Sequence, residues 1–236
     1  MYDKFDFYES ENEERYRKYS LRCPDMALDD VVWHVNNFLD FEKYSHDVIV
    51  DDGDDIYVIV NKFFKLPEDF VPSDIVEVDG VPMKRVAAEA YIKMRDTAKE
   101  EGFSLKLGTA YRSIAMQRAL YEKHLNNEGV QEADKYCARA CYSEHHTGLA
   151  LDVGGSVGSV GAVANSPEGP WLFDNCHRFG FIIRYLPETT EITGYASEPW
   201  HLRYVGVEVS LDMKNKNILS FEEYRERFLK NKTRPF

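Results

Sequence analysis

The stretch at residues 143–152, SEHHTGLALD, constrains the fold of this chain more than any other. Apolar residues alternate with smaller or polar ones through residues 149–153, the period-two pattern that predicts a short β-strand. His145 is expected on the loop before this strand and Asp152 on the strand itself. The chain must therefore present a histidine and a carboxylate seven residues apart, with a glycine between them.

A second stretch, EPWHLRY at residues 198–204, complements the first. His145, Asp152 and His201 together offer two neutral imidazoles and a carboxylate, which is a three-ligand set for Zn²⁺ that leaves a fourth position for water. Glu198 lies three residues before His201, close enough to hold that water without being a ligand. A lone histidine is most often an ordinary surface or core residue, so the metal hypothesis depends on the two stretches together.

The paired signatures Ser-x-His-x(6)-Asp and Glu-x-x-His resemble those of the zinc D-alanyl-D-alanine carboxypeptidases, including the vancomycin-resistance type. The resemblance runs from about Ile56 to Phe228 and includes an entry segment at residues 61–76. This family shares its metal site with lysostaphin-type endopeptidases and the hedgehog fold. The resemblance implies Zn²⁺ as the cofactor and Glu198 as the residue that takes the proton from water and passes it to the leaving amine.

The segment Tyr-Arg-Ser at residues 111–113, followed by Gln117, resembles the substrate-binding segment of the same family. The resemblance makes Arg112 both a catalytic and a substrate-binding residue, because its guanidinium offers paired donors to a carboxylate or oxyanion. Gln117 and Ser143 are expected to form hydrogen bonds with the terminal carboxylate of the substrate.

Two aromatic residues, Tyr185 and Trp200, are interpreted either as walls of the substrate pocket or as ordinary core side chains. His146 stands where the family often has glutamine, and adjacent residues on a strand or loop point apart, so it is not expected to bind the same zinc. The cysteines form no Cys-x-x-Cys pair, and buried free thiols are the favoured interpretation. One disulfide, or a contribution to a zinc site from Cys137 and Cys141, remains open.

Composition and charge exclude several classes of protein. The 236 residues are 44% hydrophobic and 14% aromatic, which is typical of a globular chain. A formal net charge of −12 argues against a nucleic-acid partner, and the sequence contains no run of 18 apolar residues that would predict a transmembrane helix. The polar N-terminus does not resemble a signal peptide, so the protein is expected at the cell envelope if a targeting segment was removed, or otherwise in the cytoplasm.

The pattern of elements predicts an α+β fold, in which a small, mostly antiparallel sheet carries the zinc site and helices pack against it. Residues 1–50 are predicted to form a partly helical N-terminal extension, and residues 51–236 the zinc carboxypeptidase catalytic domain. The expected helices cover about residues 25–40, 83–100, 114–129, 130–140 and 170–180, and the expected strands cover residues 56–60, 104–107, 149–153, 181–185 and 200–205.

The function that the resemblance implies is a D,D-carboxypeptidase that removes the C-terminal D-alanine from peptidoglycan peptides. An L,D-carboxypeptidase acting on tetrapeptides and a D-Ala-D-Ala dipeptidase would use the same residues. A different class is a zinc protein that binds the cell wall and has lost catalysis. Glu198 argues against that class, because binding alone needs no general base.

Overall fold

The computed structural model describes residues 1–230. Its helices are α1 Glu13–Arg22, α2 Leu28–Asn36, α3 Arg85–Glu100, α4 Ile114–Glu128, α5 Val130–Tyr136, α6 Glu168–Asn175, α7 Thr190–Thr193, α8 Val207–Lys216 and α9 Phe221–Tyr224. Its strands are β1 Val48–Ile49, β2 Phe64–Lys65, β3 Ile75–Val78, β4 Val81–Lys84, β5 Lys106–Leu107, β6 Ala150–Gly154, β7 Phe181–Tyr185 and β8 Glu198–Tyr204. Within this range no helix is both long and apolar enough to cross a membrane.

A four-stranded antiparallel sheet in the order β5-β6-β8-β7 forms the centre of the molecule. The pairing of β6 with β8 places Asp152 directly opposite His201 and Leu151 opposite Leu202. Because successive side chains of a strand point to opposite faces, one face of the sheet carries the polar pair and the other the leucines. The strand register therefore brings together two side chains that lie 49 residues apart in the sequence.

The apolar face of the sheet packs on α3, the helix whose 3.6-residue pattern is evident in the sequence. Tyr91 and Met94 of α3 are fully buried in this core, as are Leu151 and Leu202 of the sheet. Helices on one face of a small antiparallel sheet constitute the α+β fold, so the predicted fold class is confirmed.

The N-terminal helices form a second apolar cluster around Tyr16, Val32 and Trp33. This cluster is tied to the C-terminal helical segment, since Asn36 Nδ2 donates to Glu226 Oε1 at 2.6 Å. Arg227 Nη1 also lies 2.9 Å from Asp29 Oδ2. Helix α2 thus packs against the C-terminal helical segment at Arg225–Leu229.

The predicted strand at residues 56–60 is wrong. Arg203 Nη2 donates to the carbonyl oxygens of Ile56 at 3.0 Å and Val58 at 2.9 Å, so a buried guanidinium takes the place of a neighbouring strand. The hairpin of β3 and β4, which lies in and after the proline-rich entry segment, was not predicted.

Three predicted helices have different ends in the structure. The helix predicted at residues 25–40 covers only α2, because Phe38 adopts φ +62°, a left-handed conformation that ends a helix. The helix predicted at 130–140 ends at Tyr136. Pro170 is the third residue of α6 rather than its first, and prolines are accepted in the first helical turn because those N–H groups have no partner within the helix.

Candidate metal centre and substrate pocket

Three potential metal ligands converge at the polar face of the sheet. One donor atom from each of His145, Asp152 and His201 lies within 4.8 Å of the other two. Asp152 Oδ1 lies 3.6 Å from His145 Nε2 and 3.3 Å from His201 Nδ1. Asp152 and His201 come from β6 and β8, whereas His145 comes from a short 3₁₀ helix, Glu144–Thr147, that precedes β6.

The hydrogen bonds of the two imidazoles determine which nitrogen atom faces the centre. His145 Nδ1 lies 2.7 Å from the carbonyl oxygen of Ala110, which can only accept, so Nδ1 carries the hydrogen. His201 Nε2 lies 3.3 Å from Glu144 Oε2, and the ionised carboxylate likewise accepts. In the neutral form of each imidazole, both arrangements leave the unprotonated nitrogen toward Asp152, which is how metal-binding histidines are usually oriented.

The donor set fits a divalent cation. Asp152 Oδ1 is buried and has no hydrogen-bond partner, although a buried carboxylate oxygen is normally paired. Burial lowers the pKa of His145 to about 3, which keeps this imidazole in the neutral form that binds metals. Burial also disfavours a charge on His201, but the carboxylates of Asp152 and Glu144 overcome it and raise the pKa of His201 to about 9. The negative charge of these two carboxylates also stabilises a cation at Nδ1 of His201. Two histidines and one carboxylate form a ligand set that suits Zn²⁺.

Glu198 is held beside the three donors. Its Oε2 lies 3.9 Å from His201 Nδ1, and its side chain is only 11% exposed. It is the first residue of β8 and pairs with Tyr185 of β7, past an irregularity in the ladder. Burial raises the pKa of Glu198 to about 7, so the carboxyl group can both accept and release a proton near neutral pH.

Arg112 is fixed from three directions at the rim of this centre. Its Nη1 donates to Gln117 Oε1 at 2.6 Å, and its backbone N–H donates to the carbonyl oxygen of His145 at 3.1 Å. Its own carbonyl oxygen lies 2.7 Å from His146 Nδ1, while His146 Nε2 accepts from the backbone N–H of Cys141. Both nitrogens of His146 are therefore engaged away from the metal centre, and the residue holds the Arg112 segment in place.

The remaining predicted substrate residues line the same pocket as the metal centre. Ser143 Oγ accepts from the backbone N–H of His145 at 3.3 Å. Gln117 is buried, and its Nε2 donates to the carbonyl oxygen of Ala138 at 2.7 Å, so both ends of its amide are occupied within the protein. The ring of Tyr185 lies 4.7 Å from that of His201, and Trp200 is half-buried. Pocket-lining residues that had not been assigned to the substrate pocket from the sequence are Leu120, His124, Tyr136, Cys137, Ala138 and Tyr195.

A buried ionic cluster behind His201 was not predicted. Glu144 Oε1 lies 2.9 Å from both Arg184 Nε and Arg203 Nη1, and Arg184 Nη2 lies 2.6 Å from Glu222 Oε1. All four side chains have no exposed surface. Two arginines balance two glutamates, so the cluster is neutral and holds the Glu144 carboxylate against His201. The four cysteines, by contrast, are all free.

A family profile for D-alanyl-D-alanine carboxypeptidase, VanY, matches residues 81–207. The chain is also 33% identical over 206 residues to the putative carboxypeptidase YodJ of Bacillus subtilis strain 168. That alignment covers 82% of this chain and 75% of YodJ.

Two solved structures share the fold. The LD-carboxypeptidase LdcB is 33% identical with a TM-score of 0.69, over 76% of this chain and 89% of that one. The vancomycin-resistance D,D-pentapeptidase VanY from a VanB-type cassette, in complex with Zn(II), is 28% identical with a TM-score of 0.63. That match covers 73% of this chain and 99% of the VanY chain.

Proposed function

The chain belongs to the VanY family of D-alanyl-D-alanine carboxypeptidases, and on that premise we propose that it removes the C-terminal D-alanine from peptidoglycan pentapeptides with the help of Zn²⁺. The observation that carries this proposal is the convergence of His145, Asp152 and His201 beside Glu198 in one pocket. Zn(II) in the related VanY structure supports the choice of metal.

Bound Zn²⁺ supplies a water of lowered pKa and polarises the scissile carbonyl group. His145, Asp152 and His201 are the proposed ligands. Glu198 accepts the proton of the attacking water and then donates it to the departing amine of D-alanine, two tasks that suit a carboxyl group whose pKa burial raises to about 7.

Arg112 has the proposed role of binding the substrate carboxylate or the negative charge that develops on the carbonyl oxygen. Its guanidinium keeps donors free for this task, because only Nη1 donates to Gln117. Gln117 then acts through Arg112, since both ends of its amide are already engaged in the protein. Ser143, Tyr185 and Trp200 contribute the proposed polar and aromatic contacts of the pocket.

An L,D-carboxypeptidase is the second candidate, and the match to LdcB supports it, with a higher TM-score than the match to VanY. The two candidates differ in the residue that precedes the terminal D-alanine, which is D-alanine in the pentapeptide and an L-centre in the tetrapeptide.

The purified protein should be incubated with each peptide separately and the released D-alanine measured. Preferred cleavage of the pentapeptide supports the D,D proposal, and preferred cleavage of the tetrapeptide replaces it with the L,D candidate. Peptides that end in L-alanine or in an amidated D-alanine serve as controls. Cleavage of the amidated peptide at a comparable rate would contradict a carboxylate-binding role for Arg112, and comparable cleavage of the L-alanine peptide would contradict specificity for a terminal D-residue.

A further inference from the structure

Lys62 is a buried lysine whose ammonium group donates to main-chain carbonyl oxygens. Only 3% of the residue is exposed. Its Nζ donates to the carbonyl oxygen of Asp134 and, at 2.6 Å, to that of Gly194. The same atom lies 4.3 Å from the ring centroid of Tyr195, within the range of a cation–π contact. An ammonium group in this position is held far more firmly than one on the surface.

The two carbonyl groups belong to two neighbouring segments of the wall of the substrate pocket. Asp134 lies in α5, whose end leads directly into the pocket-lining residues 136–138. Gly194 ends α7 and precedes Tyr195, which also lines the pocket. A backbone hydrogen bond of 2.9 Å from Ala196 to Lys135 joins the same two segments. Lys62 thus bridges the two segments from behind.

Gly194 and Tyr44 pack closely against Lys62 and Tyr195. Gly194 adopts φ +78°, and a Cβ atom at this position would lie 2.8 Å from Cδ of Lys62, so the glycine gives the lysine stem its space. Tyr44 lies behind the pocket wall with its hydroxyl oxygen 3.4 Å from that of Tyr195. The guanidinium carbon of Arg139 lies 4.0 Å from the centroid of the Tyr44 ring.

We infer that Lys62 is a positioning residue that fixes Tyr195 in the substrate pocket by clamping its segment to α5. The identity of the substrate rests on the proposed function, whereas the clamp by Lys62 does not. The position of Glu198 depends less on Lys62 than that of Tyr195 does, because Glu198 is fixed in the β7–β8 ladder opposite Tyr185. Loss of the clamp should therefore weaken substrate binding and leave the chemical step almost unchanged. Lys62 and Tyr44 both precede the residues that the family profile matches.

The test compares Lys62→Met with Arg15→Met as a matched control. Arg15 also donates to a main-chain carbonyl, that of Val35 at 2.7 Å, and also lies over aromatic rings, those of Phe38 and Phe41. Its partners line no part of the pocket. For Lys62→Met we expect a KM about tenfold higher with kcat within about threefold of wild type and unchanged zinc content, since only uniform binding is lost. Arg15→Met should leave KM unchanged.

A second readout does not depend on turnover. Amide hydrogen exchange at Ala196, whose N–H donates from one segment to the other, should be about tenfold faster in Lys62→Met and unaltered in Arg15→Met. If the wild-type protein cleaved no peptidoglycan peptide while Ala196 behaved as stated, the proposed function would fail and the clamp would stand. Unaltered exchange at Ala196, or a fall in kcat with KM unchanged, would overturn the inference.

Gly194→Ala provides a second variant if Lys62→Met does not fold. The added methyl group displaces the stem of Lys62 and also meets that of Lys43 at 2.9 Å, and the positive φ strains the alanine, while every partner keeps its side chain. The same rise in KM and the same acceleration of exchange at Ala196 are expected. Wild-type values of both quantities in this variant would also overturn the inference.

Discussion

Glu198 lies within reach of the metal centre without belonging to the ligand set. In the variant Glu198→Ala the three donors remain, so we expect zinc content to stay at the wild-type level. Turnover should fall by a factor of about 10² to 10⁴, the range typical for removal of a general acid–base group. Metal analysis and kcat on the same preparation check this, and a loss of zinc would make Glu198 a ligand instead.

Arg112 is held by its backbone and by Gln117, so its guanidinium presents a fixed set of donors to the pocket. Arg112→Lys should keep its metal and lose roughly ten- to a hundredfold in kcat/KM, because one ammonium group cannot replace a planar fork of donors. Arg118→Lys is the matched control, since Arg118 pairs on the surface with Glu68 at 3.5 Å. Wild-type kinetics for Arg112→Lys would remove Arg112 from the site.

At the scale of residues, type and spacing indicate a metal site, but the groups that orient its ligands are hidden from the sequence. Ala110 and Glu144 lie 35 and 57 residues from the histidines that they contact, and no local pattern marks them. Glu144 stands next to His145 in the sequence yet serves His201. Its role becomes visible only once β6 and β8 are paired.

At the scale of elements, the strands β7 and β8 carry a buried ionic cluster that supports His201. Glu222 is linked to this histidine indirectly. It pairs with Arg184, which pairs with Glu144, and Glu144 in turn contacts the histidine. Glu222→Gln leaves the charge of Arg184 partly uncompensated and should lower the free energy of unfolding by about 3 kcal/mol. That corresponds to a fall in Tm of roughly 6–12 °C for a chain of this size. Zinc affinity should change little, and a large loss of affinity would show that the cluster acts as one unit with the metal centre.

The same cluster makes stability dependent on pH. Burial opposes ionisation of Glu222, but Arg184 outweighs it and holds the pKa of this carboxyl group below its ordinary value of 4.5. The unfolded chain therefore takes up the proton at a higher pH than the folded chain does. The stability that Glu222 contributes is complete above about pH 4.5 and is lost as the pH falls below it. Denaturant titrations between pH 7 and pH 3 should show a smaller decline in Glu222→Gln than in wild type.

Elements with strong periodicity were predictable, and those held by side chains were not. The prediction of β7 at residues 181–185 is confirmed residue for residue, because a run of apolar and aromatic residues interrupted only by Arg184 follows a helix-ending glycine. Residues 56–60 are likewise apolar and aromatic, but the carbonyl groups of Ile56 and Val58 are bound by Arg203 and not by a ladder. Composition cannot distinguish a strand in a sheet from an extended segment bound by a side chain, since apolar side chains are buried in both.

At the scale of the whole molecule, the candidate site collects residues from position 112 to position 201 into one pocket beside the central sheet. Helix α2 and the C-terminal helical segment pack together, where Asn36 contacts Glu226. We propose that residues 1–50 remain an extension of the catalytic domain in function and that their Tyr44 supports Tyr195 of the pocket wall from behind. No contact between the two ends of the chain was predicted from the sequence, and only the folded chain brings them together.

The central claim is that His145, Asp152 and His201 bind one catalytic Zn²⁺. The most direct measurement is a titration of the chelator-treated protein with Zn²⁺, in which release of D-alanine and bound metal are followed together. We expect activity to return in proportion to zinc and to saturate at one ion per chain, whereas His145→Ala should neither bind a stoichiometric ion nor recover activity. Full activity without zinc, or one bound zinc per chain in His145→Ala, would contradict it.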